Sequence, residues 1–86
     1  MPEICRFYGI IIKMFFEDHN PPHFHAEYGG FEVLFEIDTL AVIAGKLPPR
    51  ALGLVMEWAA LHQKELILLW QNAREQKPLG KIEPLK

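Results

Sequence analysis

Three histidines fall within seven residues, in the run Asp18-His19-Asn20-Pro21-Pro22-His23-Phe24-His25, and only one other, His62, occurs in the chain. Imidazole titrates near neutrality and is the commonest metal ligand. The cluster therefore suits three roles: metal binding, proton transfer, or bracing of a turn. His23 and His25 are two apart, so on a strand they project from one face. A closed zinc site takes four ligands and a catalytic one takes three plus water. His19 would add a third nitrogen if the Pro21-Pro22 turn folds it back, and Glu36 or Glu27 an oxygen. The candidate metal set is thus His19, His23, His25 and Glu36, and the candidate cofactor a divalent transition metal such as zinc. Equally, His23 opposite Glu36 can be a plain cross-strand pair, with Asp18, His19 and Asn20 hydrogen-bonding the turn.

Two cations extend the list. Arg6 and Lys13 alternate into the first strands, and with His23 and His25 they form a candidate catalytic set. The cations would bind phosphate and the imidazoles would move protons, as metal-independent RNA cleavage requires. Against this stand the glutamates of the adjoining hairpin, which repel a phosphate chain, and a formal net charge of −2, which supplies no basic field. No Ser-His-Asp order, phosphate-cradling glycine loop or Cys-x-x-Cys pair is present.

The elements that must position these groups read as strands first and helix second. Residues 4–8 and 10–16 are rich in Ile, Phe and Tyr, with Gly9 as a bend between them. Residues 23–28 and 31–37 alternate strictly about Gly29-Gly30, a two-residue hairpin signal. That turn sets His23 opposite Glu36, Phe24 opposite Phe35, His25 opposite Leu34, Ala26 opposite Val33, Glu27 opposite Glu32 and Tyr28 opposite Phe31. A slip of one residue would scramble the apolar face, so the pattern itself selects this pairing. Residues 41–44 suit a short last strand closed by Gly45.

Pro48-Pro49 opens the helix signal, since proline is tolerated in a first turn. From there to residue 75 an apolar stripe of Leu52, Val55, Met56, Trp58, Ala59, Leu66, Ile67, Leu69, Trp70 and Ala73 predicts one long helix over 49–75. Leu54, Leu61 and Leu68 lie opposite that stripe at heptad spacing, and are candidate contacts for a partner or a second copy. His62 sits at the stripe's edge, as a boundary histidine with a hydrogen-bond partner. The fold class expected is α+β: a small antiparallel sheet of three to five strands, then one long C-terminal helix packed on one face. A single domain over 1–75 would end in an extended, loosely held tail over 76–86.

Composition bounds the rest. Half of the 86 residues are apolar and close to a quarter charged, as in globular proteins. No run approaches the roughly 18–20 apolar residues of a membrane span. The start Met-Pro-Glu-Ile-Cys-Arg does not read as a signal peptide, and the single Cys5 rules out an internal disulfide. A cytoplasmic protein is expected.

The runs Arg6-Phe7-Tyr8-Gly9-Ile10, Asp18 to His25, Gly45-Lys46-Leu47-Pro48-Pro49-Arg50, Glu57-Trp58 and Leu61-His62, with the tail Lys81-Ile82-Glu83-Pro84-Leu85, resemble a family of small bacterial proteins. It is a domain-of-unknown-function family. The resemblance implies a small sheet followed by helix and a gene encoded beside that of another small protein, in a toxin–antitoxin-like arrangement. It thus implies a co-encoded protein partner and brings RNA or DNA handling into view. It assigns no catalytic residue. The apolar stretch Ile67-Leu68-Leu69 is where this chain departs from it.

Overall fold

A computed structural model describes residues 3–16 and 19–86. Strands β1 (Glu3–Phe7), β2 (Ile10–Lys13), β3 (His23–Tyr28), β4 (Phe31–Glu36) and β5 (Val42–Gly45) form one antiparallel sheet in the order β1-β2-β3-β4-β5. Helices α1 (Pro49–Leu61) and α2 (Gln63–Arg74) follow. Two of the hairpins use two-residue turns that need positive φ at both positions. Gly29 and Gly30 supply φ 53° and 88°, and Tyr8 and Gly9 supply 51° and 80°. The β3–β4 register follows the expected one pair by pair, from His23↔Glu36 to Tyr28↔Phe31. At β5 the register shifts between Leu34 and Phe35. Gly45, at φ 77°, crosses so close to β4 that a Cβ there would lie 2.2 Å from the Glu32 carbonyl oxygen.

One sheet face carries the core. Ile10, Ile12, Phe24, Ala26, Val33 and Phe35 are buried on it, and α1 covers them with Ala51, Val55, Trp58 and Ala59. The Trp58 ring lies 5.6 Å from that of Phe7 and 5.9 Å from that of Phe24. Burying each large apolar side chain contributes about 1.5–3 kcal/mol, so this layer determines the fold. Leu66, Leu69, Trp70 and Ala73 of α2 complete it. Met56, expected in the same stripe, is exposed.

Three expectations change. The one long helix is two, broken at His62, whose φ −126° and ψ 23° leave the helical region. No proline or glycine marks the break, so its cause is tertiary. There Gln63 Nε2 donates to the carbonyls of Ile37 (2.9 Å) and Asp38 (3.1 Å), which fastens the start of α2 to the end of β4. The strand expected over 10–16 ends at Lys13, and Phe16, assigned to its apolar face, is exposed.

The tail over 76–86 is extended but not loosely held. Leu79 and Ile82 are buried, the Ile82 amide donates to the Ile4 carbonyl at 2.9 Å, and Lys81 Nζ donates to the Glu3 carbonyl at 3.0 Å. Apolar residues every third position in this Pro- and Gly-punctuated segment let it lie along β1. Among the described residues no helix is long and apolar enough to cross a membrane.

Candidate functional site

The β2–β3 register places Lys13 directly opposite His25, on the sheet face away from α1. Around this pair the polar groups arrange themselves. Lys13 Nζ donates to Glu27 Oε2 at 2.8 Å, with the lysine side chain only 11% exposed. A lysine so nearly desolvated requires its carboxylate partner. His25 Nδ1 lies 3.2 Å from Glu32 Oε2, and the Phe15 ring meets the imidazole edge-on at 4.6 Å.

His23 is more deeply set. It is buried where the ring of Trp70 from α2 comes within 5.2 Å, with His25 at 5.3 Å on another side. Its Nδ1 is 2.8 Å from the Pro21 carbonyl oxygen. A carbonyl only accepts, so Nδ1 carries the proton and donates. The same reasoning makes Nδ1 of His25 the donor to the Glu32 carboxylate. Both rings are thus fixed in orientation, one by the turn backbone and the other by a cross-strand acid.

The remaining candidates fall as follows. Arg6 is exposed and paired with Glu3 at 2.8 Å, an ion pair that holds the Glu3 carboxyl below its ordinary range and raises Arg6. His19 is exposed and engaged by neighbouring groups. Glu36 stands opposite His23 in register, while the acid that meets His25 is Glu32. Among the described residues no three His, Cys, Asp or Glu side chains gather where they could hold a metal ion, so His19, His23, His25 and Glu36 are not assembled as one set. Asp18, expected to brace the turn, lies outside the described residues. His62 Nδ1 pairs with Glu65 Oε1 at 2.6 Å over Trp58, in keeping with the boundary role expected of it.

The electrostatics bear on chemistry. Both expected phosphate-binding cations are matched by carboxylates, Arg6 by Glu3 and Lys13 by Glu27. Glu32 then leaves the surface around a neutral His25 with a net negative formal charge. Such a face can hold and pass a proton but does not attract a phosphate chain. Glu32, Phe15 and Trp70 are participants that reading the sequence missed. Glu32 was within reach of the hairpin register, since it is a diagonal neighbour of His25. Trp70 was not, because its approach depends on where α2 lies.

Two further surfaces are exposed. Of the heptad leucines, Leu54 is half-buried, and Leu61 (68% exposed) and Leu68 (57%) stand on separate helices either side of His62. All four residues of the edge strand β5 are exposed, including Val42 and Ile43.

Comparison with known proteins adds a family. A family described as a domain of unknown function (DUF4160) matches residues 9–71, most of the chain. No curated protein and no solved structure matches it.

Proposed function

The chain belongs to this domain-of-unknown-function family, and from that premise we propose that it is a protein-interaction component, working with a small co-encoded protein in a toxin–antitoxin-like pair. The observation that carries the reading is the asymmetry of the sheet edges. The tail closes β1 through the Ile82–Ile4 bond, whereas β5 is exposed along its length and carries no charged residue over Val42-Ile43-Ala44-Gly45. Edge strands in soluble proteins are ordinarily protected by charge, proline or a covering segment. An unprotected one is suited to accept an added strand, with backbone hydrogen bonds giving affinity and side-chain contacts giving specificity. Exposed Leu61 and Leu68 supply apolar surface for the same partner. In this reading the histidine face holds the sheet and the β2–β3 turn in shape.

Co-expression with the adjacent gene product, followed by light scattering on the eluted species, tests this. A stable complex is expected, weakened at least about tenfold, or about 1.4 kcal/mol, by Ile43→Lys. A complex unaffected by both Ile43→Lys and Leu61→Glu would remove β5 and the leucines as the docking surface.

A further inference from the structure

At the end of the sheet away from the β4–α2 contact, a cleft of about 330 Å³ opens between the tips of two hairpins and the first turns of α1. Its floor is apolar, formed by buried Ile10 and Ala51. Tyr8 and Tyr28 stand as walls, 60% and 38% exposed. The Tyr28 ring is seated over Gly9, where a Cβ would already touch it at 3.4 Å. Arg50 and Lys86 line the rim against the single carboxylate of Glu57. Unlike Arg6 and Lys13, neither Arg50 nor Lys86 is engaged in an ion pair among the described residues.

We infer that this cleft binds a small organic anion with a flat apolar body, such as an aromatic carboxylate. Three observations converge on it. The volume is at the lower end of ligand pockets, about 300–1,000 Å³, which fits one or two fused rings and not a polymer. Aromatic walls over an apolar floor suit a flat body, and the unpaired cations outnumber the acid at the mouth, which selects a negative end. The third is Tyr8 itself. It occupies a left-handed position of a tight turn, at φ 51°, where the turn favours Asn or Gly and a tyrosine costs about 1–2 kcal/mol. Its side chain contributes to the cleft wall what its backbone loses in the turn.

Tyr8→Asn separates the two roles, because it suits the turn and removes the wall. Amide NMR titration of the full chain with naphthoate is expected to give saturable shifts at Tyr8, Tyr28, Ala51 and Leu54. Binding should be about tenfold tighter than that of naphthylmethylammonium, the cation of matching shape. Tyr8→Asn should keep or raise the thermal midpoint yet weaken naphthoate binding about tenfold, and Arg50→Glu should reverse the preference between anion and cation. The inference is overturned if no saturable shift occurs at those amides, if the ammonium probe binds as tightly, or if Tyr8→Asn leaves the affinity unchanged.

Discussion

Trp58 Nε1 donates a hydrogen bond of 2.8 Å to the carbonyl of Glu83, joining the middle of α1 to a tail twenty-five residues further along. The indole also packs on Phe7 and Phe24, so a single side chain connects helix, sheet and tail. The tail is therefore a structural element, and its removal should have consequences at a distance.

Deleting residues 79–86 should destabilise the protein by about 3 kcal/mol or more, since Leu79 and Ile82 lose their burial. Urea denaturation measures this. Cys5 reports it independently: burial pushes its thiol up from the ordinary range, and the carboxylate of Glu83 raises it further. The intact chain should resist alkylation at neutral pH and the shortened one should not. The sign of the pH dependence follows. A thiol raised in the folded state retains its proton longer than in the unfolded chain, so its stabilising contribution is full below about pH 8.5 and declines above it.

Lys13 and Glu27 should respond unequally to substitution. Glu27→Gln leaves an ammonium 89% buried without its acid, which should cost about 1–3 kcal/mol. Lys13→Met leaves a carboxylate that is a third exposed, with an apolar stem in the lysine's place, and should change stability by less than about 1 kcal/mol. Equal losses in denaturation midpoints would show that the pair is not desolvated as described.

The two strand histidines should likewise separate. His23→Ala removes a ring packed between Trp70 and His25 together with its bond to Pro21, at about 2 kcal/mol or more. His25→Ala breaks a pair with a half-exposed carboxylate, for which about 1 kcal/mol or less is expected. Thermal melts of the two single variants give the order directly.

Gly45 and Gly29 make a comparison in backbone strain. Both have positive φ, but only at Gly45 would a Cβ strike backbone, the Glu32 carbonyl. Gly29→Ala should cost about 1–2 kcal/mol for its conformation alone. Gly45→Ala should cost more, about 2–4 kcal/mol, because strands β4 and β5 must separate to admit the methyl group. Similar losses at both sites would mean that β5 yields readily.

What the sequence determined by itself is local and periodic. Gly29-Gly30 and the strict alternation around it specify the β3–β4 register, because side chains two apart share a face and only one pairing buries Phe24, Ala26, Val33 and Phe35 together. Pro48-Pro49 likewise marks the start of α1, since a residue fixed near the helical φ and lacking an amide proton costs least in the first turn. The histidines' shared strand was legible for the same reason.

What only the tertiary structure decided depends on contacts between residues far apart in the chain. The break at His62 follows from Gln63 reaching Ile37 and Asp38, and no local propensity in Leu61-His62-Gln63-Lys64 announces it. The same holds where Trp70 comes over His23 and where Ile82 closes β1. The pairing of Lys13 with Glu27, which turns an apparent phosphate-binding cation into half of a desolvated ion pair, required β2 to lie beside β3. A one-dimensional pattern specifies which face a side chain takes; what it meets there is fixed by the packing of the layers.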